Sequence, residues 1–510
     1  MSNCFSKQWR NTPFLLLFLL GIPLVTQAQY SAPGYRAPED KTPKPEIETQ
    51  IKAGQAPRSL ATTNAWDAVR TVRLAELSAT ERQSVSEKKR YRIGLLRALP
   101  QPIVSLNEFT KRAVNDGTLY LLRISSPQAT ALRLHFKSLS LPAGAKLFVI
   151  ARQNPQLFSP PYSQTANEFW TPSLPGAEVI VECFVPAQTQ LEADNTLMQI
   201  DAVSHIFRHP RTLQQKATPG TSQPEAAANC NLEVPTEFSE AARATGLITF
   251  VKTDGEYACT GTLLSDIQKT GTPYFLTANH CIGNANEAAS AEVYWRYDAG
   301  PEPTTTPSRG AQLIVSDEVD DYALLQLGTK PPGGVVYSGW STTSRPVGTS
   351  VTGIHHPQAD YKRAALGKIV DAACPAEVPP GFCDYYLKVR WDQGITEPGS
   401  SGSGLFVGTG NQTQLIGLLS GGESACDNQT GVDWYPRISR MFGAFGYYLT
   451  NGEVCRYALT EKKFSFSNKG GQGSYTIVPK IGGDACRGKH TAISVGSRSL
   501  PRPAERAWAM

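Results

Sequence analysis

The sequence predicts an all-β protein made of several domains. The chain has 510 residues, which is too long for one compact domain. It contains 43 glycines and 37 prolines, so turns should be frequent. Short apolar runs rich in β-branched and aromatic residues recur between those turns, a pattern typical of strands.

The overall composition is that of a globular protein without a strongly charged partner. Apolar residues make up 40% of the chain and charged residues 18%, so we expect a buried core. The net charge of +5 is small for 510 residues. It favours neither nucleic-acid binding nor attachment to a membrane surface.

The first 28 residues have the features of a secretory signal peptide. Basic residues precede the apolar run Phe14–Val25, and small residues up to Ala28 suit cleavage after that alanine. The run is shorter than the ~20 apolar residues that a membrane span needs. We therefore expect a secreted, soluble protein with no membrane span.

Secretion permits disulfides, and the number of cysteines supports them. Cys183 stands apart, whereas an even number of cysteines follows residue 229. These are Cys230, Cys259, Cys281, Cys374, Cys383, Cys426, Cys455 and Cys486. Their number suggests a set of bridges without fixing which cysteines pair. No Cys-x-x-Cys pair and no zinc-type Cys/His spacing occurs, so we expect neither a metal nor a cofactor.

The chain divides into segments of different composition. Residues 29–60 are rich in proline and lysine and are predicted to be disordered. Strand-like runs within about 92–205 predict a β-sandwich with no catalytic constellation. A polar, proline-containing stretch at 207–229 is typical of an exposed linker open to proteolysis. Residues 230–450 are β-rich again and hold every catalytic candidate, and 451–510 form a small β extension.

The stretch Gly394–Gly404 has the composition of a loop that exposes a nucleophile. It combines small residues, Pro398, and a serine, Ser401, next to Gly402. Backbone amides in such a turn can point at one spot and stabilise an oxyanion. Gly/Ser-rich stretches are usually only turns, so this interpretation depends on a base and an acid elsewhere.

A histidine and an aspartate occupy suitable places. His280 follows an apolar strand and precedes Cys281, so a disulfide to Cys259, one hairpin upstream, can fix it. A serine needs such a base because its hydroxyl is a poor nucleophile at neutral pH. Asp321 opens an apolar strand and can orient the imidazole. Three nearby acidic residues compete with it and also suit a solvated turn: Asp317, Glu318 and Asp320.

The order His280, Asp321, Ser401 resembles that of trypsin-like (chymotrypsin-fold) serine proteases. The closer resemblance is to bacterial lysyl endopeptidases, over about 230–440. The motifs that carry it are Ala258-Cys259-Thr260-Gly261, Thr277-Ala278-Asn279-His280-Cys281, Val293-Tyr294-Trp295, Ile354-His355-His356-Pro357 and Thr396-Glu397-Pro398-Gly399-Ser400-Ser401-Gly402-Ser403. The resemblance implies two six-stranded antiparallel β-barrels with the active site in the cleft between them. It also implies that 29–229 is a propeptide, while 451–510 resembles the start of a bacterial Ig-like module.

The same resemblance implies roles for individual residues. Ser401 would be the nucleophile, His280 the general base and then acid, and Asp321 the carboxylate that orients the histidine. The backbone amides of Gly399 and Ser401 would form the oxyanion hole. The stretch Ser420-Gly421-Gly422 matches the strand edge that pairs with the substrate backbone.

Four positions bear on activation and specificity. Ser400 stands where many trypsin-like enzymes have an aspartate that pairs with a new N-terminus, so activation by that ion pair is not expected. Ile395 occupies the position of trypsin's pocket acid. Asp433 matches the pocket acid that lysyl endopeptidases place after the nucleophile. An acid there predicts that the substrate residue before the cut bond is cationic. The alternative is that Asp433 is an aspartate of a surface loop. Ser420 stands where that family has a histidine.

The resemblance also implies a disulfide pattern. Cys259–Cys281 and Cys230–Cys426 match the family, and Cys374–Cys383 and Cys455–Cys486 would follow as local bridges. The Cys374–Cys383 segment differs from the aromatic-bearing loop of the family. Cleavage after Lys alone and cleavage after Lys or Arg therefore both remain open.

Together these features predict a secreted serine endopeptidase that cuts after Lys, or after Lys and Arg. We expect protein and peptide substrates, a propeptide that acts as inhibitor or folding aid, and a monomer. Two alternatives remain: a protease of other specificity, and an inactive protease-fold protein that only binds. The complete set His280, Asp321 and Ser401 argues against the second, because lost activity usually shows as a missing member.

Overall fold

A computed structural model describes most of the chain between residues 29 and 481. The described ranges are 29–39, 50–51, 53–82, 90–189, 198–210, 230–298, 307–373, 383–452, 456–467 and 470–481. The predicted signal peptide, most of the predicted linker and the end of the chain lie outside them. No helix within these ranges is long and apolar enough to cross a membrane.

Strands dominate the secondary structure, so the all-β prediction is confirmed. The first strands are β1 Ser31–Ala32, β2 Tyr35–Arg36, β3 Thr71–Arg73, β4 Tyr91–Ile103, β5 Thr110–Val114, β6 Gly117–Ser125, β7 Ala131–Leu139, β8 Lys146–Ala151, β9 Phe169–Trp170, β10 Leu174–Pro175, β11 Glu178–Pro186 and β12 Met198–Ile206. The next are β13 Thr245–Lys252, β14 Gly255–Leu264, β15 Tyr274–Thr277, β16 Glu292–Tyr294, β17 Ser308–Arg309, β18 Ala311–Asp317, β19 Tyr322–Leu327, β20 Val336–Tyr337 and β21 Gly339–Ser341. The last are β22 Ser350–His355, β23 Arg363–Ile369, β24 Tyr386–Gln393, β25 Gly404–Val407, β26 Gln414–Leu418, β27 Gly421–Gly422, β28 Val432–Pro436, β29 Arg456–Ser467 and β30 Gly470–Ile481. The α-helices are α1 Ala79–Arg82, α2 Ser239–Ala244, α3 Ala285–Ala289 and α4 Ile438–Leu449, and 3-10 turns span Arg58–Trp66, Leu106–Glu108, Thr236–Phe238, Pro357–Ala359, Cys383–Tyr385 and Gly410–Gln412.

Two sheets pack face to face in the region predicted as a sandwich. One has the strand order β3-β6-β11-β8, and the other contains β10-β7-β12-β4. Fully buried side chains such as Leu122, Leu134 and Val181 lie between them. β11 is buried on both faces because Trp66, at the end of a 3-10 turn, packs with Ile180 on its outer side. Burial on both faces explains why apolar residues fill this strand, apart from Glu182, whose buried carboxylate accepts the amides of Arg58 and Ser59.

This N-terminal region and the region from residue 230 share one sheet. β4 pairs with β12 along one edge and with β14 along the other, where Tyr91 faces Ala258 and Leu95 faces Gly255. The opposite edge of β14 pairs with β13. The two regions predicted on either side of a linker therefore contribute to one twelve-stranded sheet.

The second large sheet has the order β1-β21-β26-β25-β22-β23-β24-β28-β27. The largest buried cluster contains Phe275 from the twelve-stranded sheet, Phe406 from this sheet, and Phe445 from α4. Its apolar contacts hold the two sheets together and place their loops side by side. The predicted count of six strands in each of two barrels stays a prediction.

The prediction of disorder for residues 29–60 is wrong for residues 29–39, and also for 53–60, where Ala56 and Ser59 are each 1% exposed. β1 pairs with β21 and β2 pairs with β20, and Ala32 is 1% exposed. Local composition did not reveal this order because the partner strands lie about 300 residues away in sequence.

The ends of two other predicted segments also differ in detail. The amide of Phe207 donates to the Ile93 carbonyl at 2.9 Å, and His209 is buried, so the first residues of the predicted linker belong to the fold. In the C-terminal extension, β29 and β30 form a two-stranded antiparallel sheet. Its predicted Ig-like character stays a prediction.

Candidate active site

His280 and Asp321 follow and precede two paired strands. β15 pairs with β19 so that Thr277 faces Ala323, which brings the end of one strand next to the start of the other. His280 Nδ1 lies 2.8 Å from Asp321 Oδ2, and the His280 amide donates to Oδ1 at 3.0 Å. His280 Nε2 is buried and has no hydrogen-bond partner among the described residues. The ring is therefore held at Nδ1, with Nε2 left to exchange a proton.

The carboxylate of Asp321 is buried and kept ionised. The residue is 7% exposed and has a φ of +46°, in the left-handed region that aspartate tolerates better than most residues. Burial acts to raise the pKa of Asp321, but the charge of His280 and hydrogen bonds from His280 and Ser420 hold it below its usual value. Ser420 Oγ donates to Asp321 Oδ2 at 2.5 Å. The sequence assigned Ser420 only to the substrate edge and did not predict its hydrogen bond to Asp321.

The competing acidic residues point elsewhere. Asp317 Oδ1 accepts the turn amides of Val319 and Asp320 at 2.9 and 2.8 Å. Asp320 lies 3.7 Å from Arg440, and Glu318 is exposed. Asp321 is thus the member of this acidic group that contacts His280.

The Ser401 loop is held against β14. The Thr260 amide donates to the Ser401 carbonyl at 2.9 Å, and the Thr260 hydroxyl donates to the Gly399 carbonyl at 2.9 Å. Cys281 Sγ lies 4.0 Å from the Ser401 carbonyl oxygen, so the residue after His280 adjoins the loop. Ser401 is 4% exposed. The fold therefore brings the three predicted catalytic residues into one neighbourhood.

The turn around Ser401 requires glycine on both sides. Gly399 and Gly402 have φ values of +95° and +80°, which favour glycine. The amides of Ser400 and Gly402 donate to the carbonyls of Glu397 and Leu419. Those two amides are engaged within the fold, and the amides of Gly399 and Ser401 are the predicted oxyanion donors.

Ser400 is held from inside the domain. Its Oγ lies 2.8 Å from His355 Nδ1 and accepts the Glu397 amide at 3.1 Å. Ser400 and His355 are both fully buried, and burial lowers the pKa of His355 to about 3, so the ring is neutral. The sequence showed His355 within a family motif but gave it no role.

Asp433 lies in β28 beside Gly422 of β27 and is fully buried, which excludes the surface aspartate of the alternative interpretation. Its Oδ2 accepts Trp391 Nε1 at 2.6 Å, Thr396 Oγ1 at 2.8 Å and Ser424 Oγ at 2.7 Å. Oδ1 accepts the Ser424 amide at 3.1 Å. A Cβ on Gly422 would overlap Oδ1, so only glycine fits beside this oxygen. Burial raises the pKa of Asp433, although its four hydrogen bonds act to lower it.

The other positions of the predicted pocket support this arrangement. Gly421 faces Trp434 in the pairing of β27 with β28, and it is partly exposed, as the predicted substrate edge requires. Ile395 is fully buried and brings no charge. Asp433 is therefore the buried acid beside this edge.

The structure contains both disulfides that match the family, Cys259–Cys281 and Cys230–Cys426. Cys383 is also disulfide-bonded. The other cysteines of the two predicted local bridges lie outside the described residues: Cys374, Cys455 and Cys486. Cys183 is free and buried, and burial raises the pKa of its thiol to about 12, so it is unreactive.

One Cys/His cluster within the described ranges has metal-like spacing. It consists of Cys259, His280 and Cys281. Both sulfur atoms belong to a disulfide, so neither can act as a thiolate ligand. The cluster is therefore part of the site's framework and does not form a metal centre.

Two family models match this chain. The model of the lysyl endopeptidase N-terminal domain matches residues 65–207, and the model of the lysyl endopeptidase C-terminal domain matches residues 221–436. Together they match more than two thirds of the sequence. The chain belongs to the lysyl endopeptidase family. It is a serine endopeptidase, and the resemblance predicted from the sequence is confirmed.

This lysyl endopeptidase family member is similar to a curated relative and to several solved structures. A lysyl endopeptidase from Pseudomonas aeruginosa is 28% identical over 343 residues, which cover 62% of this chain and 71% of that protein. Among solved structures, the active form of the Rv3671c protease from M. tuberculosis is 17% identical, with a TM-score of 0.30, over 45% of this chain and 92% of that chain. The HtrA-type protease AlgW with a tripeptide is 19% identical, with a TM-score of 0.29, over 47% of this chain and 74% of that chain.

Proposed function

We propose that this protein is a secreted endopeptidase that cuts after lysine, with Ser401, His280 and Asp321 as its catalytic residues. The observation that carries the proposal is the bond between His280 Nδ1 and Asp321, next to the loop that presents Ser401. Secretion is supported by the signal-like residues 1–28 and by the disulfides, because such bonds persist in oxidising compartments.

The proposed mechanism passes through an acyl-enzyme. His280 Nε2 takes the proton of Ser401 Oγ as this oxygen bonds to the carbonyl carbon of the substrate. The carbonyl electron pair moves onto oxygen, where the amides of Gly399 and Ser401 stabilise it. His280 then gives its proton to the leaving amine as the C–N bond breaks. A water molecule, deprotonated by His280, hydrolyses the ester and restores Ser401, while Asp321 stays ionised and stabilises the imidazolium.

The hydrogen bonds of Asp433 support lysine as the preferred side chain. An ionised carboxylate offers about four acceptor positions, two on each oxygen. Oδ2 is saturated by three donors that share its two positions, whereas Oδ1 accepts one hydrogen bond and keeps one position. A guanidinium binds best to both oxygens side by side, but an ammonium is a point charge that can use one oxygen. The remaining capacity on Oδ1 therefore suits lysine better than arginine.

We further propose that residues 29–229 are a propeptide, and the contact between β4 and β14 supports this. β14 carries Thr260, whose amide donates to the carbonyl of Ser401. β4 covers the edge of β14 between Gly255 and Ala258, a few residues from the site. Within the described ranges no strand pairs with the outer edge of β27, where the substrate backbone is expected. The N-terminal region would thus cover one flank of the site and leave the substrate edge open.

A buried ion pair makes this contact specific. Arg133 of β7 is 2% exposed, and its Nη1 lies 3.1 Å from Glu256 Oε1 on β14. Its Nη2 donates to the Ser290 carbonyl at 2.7 Å, and Ser204 Oγ donates to Glu256 Oε2 at 2.6 Å. A buried charge without its partner is costly, so the carboxylate of Glu256 favours this one partner. Such complementarity supports an inhibitor or folding aid made by the same chain.

Active-site labelling tests the proposal. The matured enzyme is treated with a fluorescent phosphonate that carries a lysine-like side chain, and the labelled residue is mapped by mass spectrometry. We expect label on Ser401, none in Ser401→Ala, and normal labelling in the exposed control Ser350→Ala. An unlabelled wild-type enzyme from which the N-terminal region has been removed would favour the inactive binding protein. Label retained in Ser401→Ala would show that another residue is the nucleophile.

A further inference from the structure

Residues 29–39, which we call the N-terminal strap, lie against the protease strands. β1 of the strap pairs antiparallel with β21, and β2 pairs antiparallel with β20. Apart from the strap, β21 ends the nine-stranded sheet. The opposite end of the same sheet is β27, the predicted substrate edge. The strap therefore completes one edge of the sheet that carries the candidate specificity site.

Backbone hydrogen bonds extend beyond both short strands. The Thr342 amide donates to the Tyr30 carbonyl at 2.9 Å, and the Tyr30 amide donates to Thr342 Oγ1 at 2.8 Å. At the other end, the Ala37 amide donates to the Val335 carbonyl at 2.9 Å, and the Gly334 amide donates to the Ala37 carbonyl at 3.1 Å. The bonded stretch runs from Tyr30 to Ala37. A contact of this length is a strand addition, in which main-chain bonds supply affinity.

Side chains fix the strap in one register. Ala32 is 1% exposed and belongs to the largest buried cluster of the protease. The ring of Tyr30 stacks on Phe442 with centroids 5.3 Å apart, and the ring of Tyr35 stacks on Tyr337 at 4.7 Å. A shift by one residue would turn Ala32 out of the core and replace it with a neighbour.

Two glycines let the strap and the protease backbone approach each other. A Cβ on Gly34 would lie 2.9 Å from the Gly339 amide nitrogen and 3.0 Å from the Tyr337 carbonyl oxygen. A Cβ on Gly339 would lie 2.7 Å from the Ala32 carbonyl oxygen. Both positions therefore need glycine while the strap is bound. The groove and the strap are shaped for each other.

The strap contacts residues of the protease region, although the strap comes first in the chain. All the partners given above lie between residues 334 and 442, and Arg36 adds an ion pair with Glu240. Without the strap, the edge of β21 and the ring of Phe442 would lose this cover. An open edge strand beside apolar surface is a site of aggregation.

We propose that the N-terminal strap is a constituent strand of the mature protease and stays bound as a separate short chain when the N-terminal region is cut away. This inference rests on the proposed function, because it assumes removal of the N-terminal region, and it takes residues 29–39 out of the proposed propeptide. Each cut hydrolyses one peptide bond with one water and leaves a new carboxylate and a new amine. The mature enzyme would then be a two-chain protein without a covalent link between its chains.

Mass spectrometry of the matured enzyme tests this directly. The purified enzyme is denatured, and its chains are separated by reversed-phase chromatography and weighed. We expect a peptide that includes residues 30–37, in equal amount to the protease chain. The proposal is overturned if the protease chain is found alone and if this single chain is active and as heat-stable as the enzyme before purification.

Strap variants in the full chain separate this inference from the maturation step. Gly34→Val and Ala32→Arg remove the close approach and the buried methyl, and Pro33→Ala is the exposed control. We expect the two former variants to speed hydrogen exchange of the Thr342 and Gly334 amides roughly tenfold or more, and the control to leave it unchanged. These amides are measured in the uncut Ser401→Ala chain, so the result does not depend on proteolysis. If their exchange is the same in all variants, the strap is not a strand of the protease, even where cutting occurs as proposed.

Discussion

Replacement of Asp433 by asparagine separates the charge of the pocket from its shape. Oδ2 accepts Trp391 Nε1–H, which cannot reverse its role, so the asparagine oxygen must take that position. The amide NH2 then takes the place of Oδ1, beside the Ser424 amide. The pocket would lose its negative charge and present a donor to the substrate ammonium. The asparagine NH2 and the substrate ammonium are both donors, and they would face each other where the wild-type protein has the acceptor Oδ1.

The size of the effect follows from burial. Asp433 is fully buried, so solvent screening does little to weaken its contact with a substrate ammonium. Loss of one partner of a buried, hydrogen-bonded charge pair costs about 2–5 kcal/mol. Since ~1.4 kcal/mol is a factor of ten, kcat/KM for lysine substrates should fall by ~10²–10³. Substrates with a neutral residue at the same position should change by less than about tenfold.

The assay is competitive cleavage of a peptide library by matured wild-type enzyme, Asp433→Asn and Asp427→Asn. Asp427 is exposed and lies in the same part of the chain, so its variant controls for the change in net charge. The ratio of kcat/KM for lysine to that for neutral residues is compared across pH. Because burial raises the pKa of Asp433, this ratio should fall in the wild type as pH decreases through that raised pKa, and the Asp433→Asn ratio should not change. If Asp433→Asn keeps the wild-type preference for lysine, the assignment of Asp433 is refuted.

Two further predictions concern the contacts of Asp321 and Arg133. Ser420→Ala removes a hydrogen bond to the buried carboxylate of Asp321 and should lower the free energy of unfolding by about 1.5–3 kcal/mol at pH 7. We also expect a roughly tenfold loss in kcat. The pKa of Asp321 is lower in the folded protein than in the unfolded chain, where it is about 3.9, so the ionised carboxylate stabilises the fold at pH values above that unfolded pKa. This stability is lost as the pH falls through the folded pKa. The cost of Ser420→Ala in unfolding free energy should therefore vanish in strong acid. Urea unfolding at pH 7 and pH 3 checks this; an equal loss at both values would contradict it. Arg133→Met should leave the buried carboxylate of Glu256 without its cationic partner and lower the affinity for the cleaved N-terminal region by ~10²-fold or more, while the exposed Lys137→Met on the same strand should not. Native mass spectrometry of the nicked protein measures this, and equal retention in both variants would exclude Arg133 as an anchor.

Local motifs were enough to locate the residues of the candidate triad. His280 and Asp321 flank apolar strands, and Ser401 lies next to Gly402 in a Gly/Ser-rich stretch, so each has a signature within a few residues of itself. Asp433 was found only through family resemblance, because an isolated aspartate carries no local signal. The structure adds the four donors that surround it.

Contacts between distant segments were not predictable in the same way. The hydroxyl of Ser420 meets Asp321 across 99 residues of sequence, and His355 meets Ser400 across 45. The bond between Tyr30 and Thr342 spans 312 residues. Neither composition nor periodicity encodes such pairings, because they depend on how the sheets are stacked. The predicted disorder of residues 29–39 failed for this reason.

The contact between Ser400 and His355 has a consequence for the timing of activity. Both partners are interior residues of the protease, so the shape of the nucleophile loop does not wait for a new chain end to be released. If the chain is a precursor, as proposed, its nucleophile loop would have this shape before any cut. In the proposed maturation, removal of the N-terminal region would then change the cover on one flank of the site and would not refold the catalytic loop.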